Sequence, residues 1–291
     1  MTAGFLDLEP RYRDYDKSRV VVLPIPYDAT VSYRTGARFG PRAIIDASQH
    51  VEWFDDELET ETYRCGIATQ PPVAPNASGP QAMHEDIHRA ARRIVRDKKL
   101  LLGLGGEHGV TSGLVRAVAS RYRRLSILQI DAHLDLRDSY DDSPYSHASV
   151  MRRCLEYCDT IVPVGIRSRD ISEQRFLRQS GITPISARTC HTSDDWMDQA
   201  VGGLGKTVYV TVDIDGFDPA FAPGTGTPEP GGLDWFQVTG LLARVARERT
   251  IVAADIVEVL PLGGQVTTEF LAAKLAYRLI GYMTGASTRP R

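Results

Sequence analysis

The chain has 291 residues, 42% of them hydrophobic and 24% charged, enough for one large α/β domain with a sizeable core. Thirty-four Lys and Arg against 37 Asp and Glu leave a formal charge of −3, which offers no basic field to nucleic acid or anionic lipid. Four Cys are too few for a disulfide scaffold, acids stand where a signal peptide needs an apolar core, and no apolar run approaches the ~18 residues of a membrane span, so the chain reads as a cytoplasmic globular protein.

Short apolar, β-branched runs recur along the chain at Val20–Ile25, Leu100–Leu104, Leu125–Ile130, Thr160–Ile166, Ile182–Ile185, Val208–Val212 and Ile251–Ile256. They are continuous rather than alternating, as suits strands covered on both faces. Helical spacing marks Pro80–Lys99, where Met83, Ile87, Ala91, Ile94 and Val95 share a side, and also Thr111–Arg121, Phe236–Arg249 and Glu269–Tyr282. Strand–helix alternation predicts a mostly parallel sheet. The Pro-rich stretch Ala68–Pro80 reads as a surface loop, and with no repeat or composition shift the expectation is a single domain over residues 1–291.

The polar residues that break this pattern fall at the ends of four apolar runs. Gly105–Gly109 (GGEHG) follows one, Asp131–Asp135 (DAHLD) a second and Asp213–Asp218 (DIDGFD) a third, while Glu258 follows a fourth. Ligand sites in open parallel sheets gather outside the carboxyl ends of the strands, so the four runs point into one crevice. His108, Asp131, His133, Asp135, Asp213 and Asp215 then form a set of two imidazoles and four carboxylates. If the backbone stays extended, residues two apart project the same way and each cluster converges. Four packed Asp repel unless cations neutralise them, and two divalent ions match the charge. With no thiolate in the set Mn²⁺ fits best, with Zn²⁺, Co²⁺ or Ni²⁺ possible.

Rival motifs fit less well. His84–His88 (HEDIH) matches the H-E-x-x-H zinc pattern, but its basic continuation reads as a solvated helix face. GLGGEHG has His108 where a dinucleotide fingerprint needs its third Gly. The prolines of Ala222–Gly232 favour a rigid loop beside the metal site over a phosphate cradle, and Cys154 and Cys158 read as core thiols rather than half of a zinc site.

In order and spacing, GGEHG, DAHLD, DSPYSHAS, TVDIDGFDPAFAPGTGTPEPGG and DIVEVLP, with the early GARFGPRAI (Gly36–Ile44), resemble the ureohydrolase family of arginases, agmatinases and relatives. The resemblance runs from about position 20 to 280. It departs slightly at position 107, Glu where many relatives have Asp, and at position 109, Gly where Ser is common. It implies a three-layer α/β/α sandwich around a mainly parallel, about eight-stranded sheet, and a homotrimer or homohexamer. It also implies two Mn²⁺ per subunit, His108 and Asp135 on one ion, His133 and Asp215 on the other, and Asp131 and Asp213 bridging both.

The implied reaction is hydrolysis of a small guanidino substrate to urea and an amine. Ions of this kind supply hydroxide near neutral pH. Asp135 can take its proton, Glu258 can pair with the guanidinium, and His147 resembles the family's proton-shuttling histidine. Arginases hold the amino-acid end of their substrate with an Asn-bearing loop after the aspartate-rich motif. Here Arg137 stands in its place, within Leu136–Ser146, which favours agmatine over arginine. Asp170 is a further candidate for the amine of the tail. Guanidinobutyrate, guanidinopropionate and N1-aminopropylagmatine remain alternatives, as do a formimino hydrolase and a non-catalytic protein that kept its metals.

Overall fold

The computed structural model describes residues 4–285. Its eight strands are β1 (Val20–Ile25), β2 (Ile67–Thr69), β3 (Leu100–Gly105), β4 (Leu125–Ile130), β5 (Thr160–Ile166), β6 (Ile185–Ser186), β7 (Thr207–Asp213) and β8 (Thr250–Val257). They form one sheet in the order β2-β1-β3-β8-β7-β4-β5-β6, and every pairing is parallel, where the sequence implied a mainly parallel one. Among the described residues ten α-helices accompany it: α1 (Pro10–Arg13), α2 (Gly40–Ser48), α3 (Pro80–Arg96), α4 (Thr111–Ala119), α5 (Val150–Cys154), α6 (Ile171–Ser180), α7 (Ala187–Thr192), α8 (Trp196–Gly202), α9 (Trp235–Glu248) and α10 (Thr267–Met283).

The strands are buried along almost their whole length, and alternate residues feed two cores. Val20, Val22, Val208 and Val210 pack with α2, α8, α9 and α10 on one face. Val21, Leu23, Ile127 and Tyr209 pack with α3, α4 and α5 on the other. The result is the expected three-layer sandwich. Among the described residues no helix is long and apolar enough to cross a membrane.

The differences from the sequence reading are local. The run at Ile182–Ile185 contributes only Ile185 to β6, and the start of the Pro-rich stretch pairs with β1 as β2, too short to show a period. The mostly polar α6 gives little hydrophobic signal. It forms on its capping box, in which the Asp170 carboxylate and Glu173 satisfy the N-terminal N–H groups.

Helix α10 is buried on nearly every side and carries Arg278, which meets Asp55 in a two-pronged ion pair at 2.9 and 3.0 Å, both side chains almost fully buried. Removing one member of such a pair leaves a desolvated charge. Arg278→Ala should therefore cost about 3–5 kcal/mol, read by denaturant unfolding. A loss below about 1 kcal/mol, typical of exposed pairs, would contradict this.

Candidate metal centre

The four strands whose ends carry the unusual residues are consecutive in the sheet, β3-β8-β7-β4. His108 follows β3, Glu258 follows β8, Asp213 ends β7 and Asp131 follows β4. Strand adjacency brings them together, but the local convergence does not use the extended backbone that the i, i+2 spacing suggested. Instead, Asp131 and Asp213 each turn the chain with their own side chain. Asp131 Oδ1 accepts the His133 N–H (2.6 Å) and Asp213 Oδ1 accepts the Asp215 N–H (3.0 Å). Asp215 then lies in a 3₁₀ turn, and Asp135 sits at φ 54°, in the left-handed region. Glu258 is left-handed too, at φ 61°. Non-glycine residues held there carry local strain, a common feature of functional sites.

Two sets of ligand atoms lie within 4.8 Å of one another, His108 with Asp131 and Asp213, and His133 with Asp131 and Asp215, so Asp131 belongs to both. His108 Nδ1 is 3.0 Å from Asp135, 3.2 Å from Asp131 and 3.3 Å from Asp213. Yet this buried nitrogen has no partner in hydrogen-bonding geometry. Oxygens on three sides, none aligned with a ring N–H, suit atoms directed at a shared cation. His133 Nδ1 lies 3.1 Å from Asp215.

The electrostatics of the bare cluster agree. Burial, then repulsion from Asp131, pushes Asp135 up to about 7. Burial, then Asp215 and Asp131, holds Asp213 well above the usual carboxylate range. Burial opposes charge on His133, but Asp215 and then Asp131 and Asp135 overcome it and push the imidazole up to about 11. Burial likewise opposes charge on His108, and its contacts with Asp131, Asp135 and Asp213 raise it well above its ordinary value. Protons thus occupy the role that divalent cations fill in an imidazole–carboxylate site, and the residues fit a pair of such ions.

A polar layer lies behind the cluster that the sequence reading missed. His108 Nε2 contacts Thr211 Oγ1 at 3.0 Å. Thr211 neighbours Asp255 across the β7–β8 ladder. Fully buried Asp255 accepts the hydroxyls of Tyr209 (2.6 Å) and Thr111 (2.8 Å). Groups behind a ligating imidazole fix its orientation. The signal was there: a single acid in the middle of the buried strand IVAADIV.

His133, Asp135, Asp213 and Asp215 line a cleft of about 310 Å³, together with Glu258, His147, Arg137 and Asp170. Glu258 Oε1 accepts the His108 N–H (2.6 Å), and burial holds its pKa well above the usual range. Burial, then the charge of His108, lowers His147 to about 4, which leaves the ring neutral near pH 7. Asp170 caps α6 and lies 3.7 Å from Arg137, so it enters the cleft already partnered. The rigid loop expected at Ala222–Gly232 does border the cluster: Thr227 donates to Asp215 (3.3 Å), and Arg167 donates to the carbonyls of Asp215 (2.6 Å) and Glu229 (2.7 Å).

One expectation is corrected. His84 of HEDIH is buried between α3 and α4, not solvated, because its Nδ1 meets Ser112 Oγ (2.9 Å) and Arg116 stands beside Nε2 (3.3 Å). Burial, then Arg116, lowers it to about 4. Cys154 is buried and burial raises its thiol well above the ordinary value; burial also pushes the Cys158 thiol up to about 12.

A parallel α/β sheet with paired carboxylate–imidazole sets at the carboxyl ends of its central strands has the form of a metal-dependent hydrolase. The arginase family model matches residues 18–281, and the chain belongs to that family. It is similar to an N(1)-aminopropylagmatine ureohydrolase of Synechocystis sp., 39% identical over 284 residues that span 95% of this chain and 92% of the relative. It is also similar to an agmatinase of Pyrococcus horikoshii, 35% identical over 94% of this chain and 95% of that one. The crystal structure of the agmatine ureohydrolase of Thermoplasma volcanium superposes with a TM-score of 0.85 at 30% identity, covering 96% of both chains. The chain is thus a ureohydrolase of the agmatinase type, an enzyme that hydrolyses a guanidino C–N bond, in a family that uses a binuclear metal site.

The carboxylates favour protons on both imidazoles, and an imidazole that takes up a metal must lose its proton. The sign follows: Mn²⁺ should bind more tightly as pH rises through the neutral range, with net proton release. Calorimetric titration in buffers of contrasting ionisation enthalpy checks this. Release of no proton would refute it.

Proposed function

We propose that this chain is a manganese-dependent agmatine ureohydrolase, a single-domain enzyme that holds two Mn²⁺ per subunit and splits agmatine into urea and putrescine. The observation that carries the reading is the cluster of four aspartates and two histidines, part of which lines the cleft beside Glu258. His108 and Asp135 would hold one ion and His133 and Asp215 the other, with Asp131 and Asp213 shared between them. When bound, the pair supplies a hydroxide nucleophile near neutral pH.

The chain's own residues do the rest. Glu258 uses Oε1 on the His108 N–H, which leaves Oε2 for the flat guanidinium and orients its central carbon towards the nucleophile. Asp135 takes the proton released as the C–O bond forms. As the C–N bond breaks Asp135 passes that proton to the departing nitrogen, and the neutral His147 ring, having taken up the proton the water lost on becoming hydroxide, delivers the second, so both protons of the water end on the amine. Asp170, in the lining of the cleft, suits the distal ammonium of the tail. The same features suit N1-aminopropylagmatine, a second reading favoured by the name of the Synechocystis relative. The family resemblance further supports a cytoplasmic homotrimer or homohexamer.

Urea release should be measured on the Mn²⁺-loaded protein with agmatine, N1-aminopropylagmatine, guanidinobutyrate, guanidinopropionate and arginine. The expected order places agmatine first by kcat/KM. Preference for N1-aminopropylagmatine would move the assignment to the second reading, and turnover of none would overturn both. Asp135→Asn should lower kcat by about 10²-fold or more, and a variant retaining near-wild-type kcat would remove Asp135 from the reaction.

A further inference from the structure

The loop between β1 and α2 forms one side of the cleft through Val31, Ser32, Tyr33 and Arg34. Buried Asp28 closes its neck, accepting the N–H groups of Gly36 (2.8 Å) and Arg38 (3.1 Å) and pairing with the Arg38 side chain. Inside the loop, Thr30 is tied to two other segments at once. Its N–H donates to Glu107 Oε2 (2.6 Å) and its hydroxyl donates to Glu107 Oε1 (2.9 Å). The same hydroxyl oxygen accepts the His147 backbone N–H (3.0 Å) and lies 3.3 Å from His147 Nδ1. Glu107 is fully buried, directly before His108.

A hydroxyl has one hydrogen, and Glu107 in its ionised form can only accept, so the hydrogen goes to Glu107 Oε1. Towards the imidazole the Thr30 oxygen can therefore only accept. The neutral His147 ring must then carry its hydrogen on Nδ1, which leaves Nε2 with the free lone pair. Among the described residues no hydrogen bond occupies Nε2. On another side the ring meets Tyr140 edge-on, with centroids 5.7 Å apart and planes at 77°.

We propose that Thr30 and Glu107 are positioning residues for His147: Glu107 orients the Thr30 hydroxyl, and Thr30 fixes both the place of the imidazole and the tautomer that presents Nε2 to the reacting nitrogen. This rests on the reading of His147 as the group that exchanges a proton with that nitrogen. It also gives the loop a task beyond lining the cleft, since the segment that flanks the substrate sets the hydrogen on the histidine.

The test compares Thr30→Val, which keeps the shape and removes the hydroxyl, with Thr30→Ser, which restores it. Both are made in the full-length, Mn²⁺-loaded enzyme and in a His147→Asn background, with bound manganese and thermal unfolding measured for each. Thr30→Val should lower kcat about 10-fold or more with KM changed less than about 2-fold. Thr30→Ser should recover most of the loss, and in the His147→Asn background Thr30→Val should cost nothing further. A rise in KM at unchanged kcat, or losses that simply multiply in the double variant, would overturn the positioning role. If His147→Asn itself leaves kcat unchanged, the reading of His147 fails and takes the proposal with it. If His147→Asn lowers kcat while Thr30→Val does not, only the positioning role fails.

Discussion

Four carboxylates packed at the ends of adjacent buried strands cannot all be ionised unless something positive stands among them. Asp131, Asp135, Asp213 and Asp215 meet only two imidazoles as possible cations, and burial leaves little water to screen them. The cluster's electrostatics favour protons on both histidines and raise Asp135 and Asp213 above the usual carboxylate range. Much of the surrounding structure follows from that constraint. One oxygen of Asp131, Asp213 and Asp215 is fixed by a backbone N–H, and the other stands 3.1 to 3.3 Å from an imidazole nitrogen. Behind His108 a buried acid and three hydroxyl-bearing residues hold the far side of the ring.

The arrangement also separates two jobs that a short motif would blur. Sheet order decides which residues meet, because β3, β8, β7 and β4 are neighbours. Side-chain turns at Asp131 and Asp213 decide how they meet, because an aspartate that accepts the N–H two residues on bends the chain just where the strand ends. The first is a property of topology. The second is written in the sequence as Asp-x-His and Asp-x-Asp.

Much of this was legible before any coordinates. Continuous β-branched runs announced buried parallel strands, and the polar residues at their ends marked the crevice. What stayed hidden did so for physical reasons. β2 is three residues long, too short for a period, and α6 has too few apolar residues to show one, its start being fixed by the Asp170–Glu173 cap. His84 looked solvated because its neighbours Arg89, Arg92 and Arg93 are exposed, whereas a partner 28 residues away, Ser112, decides its burial. Asp255 shows in the sequence as a lone acid inside a buried strand, but what it and Thr30 touch across the fold leaves no trace in the spacing. In the lining of the cleft, the Arg137–Asp170 pair joins two loops whose meeting the sequence did not foretell.

The left-handed backbone at Asp135 and Glu258 restricts what evolution or an engineer can place there. Asparagine and glycine adopt that conformation readily, whereas β-branched residues resist it. At Asp135, asparagine therefore changes charge with little conformational penalty. At Glu258 no residue keeps both the reach of the side chain and an easy left-handed fold. Tolerance to replacement at these two positions reports dihedral preference together with chemistry, and a library screened for altered specificity would find its viable variants sorted by both.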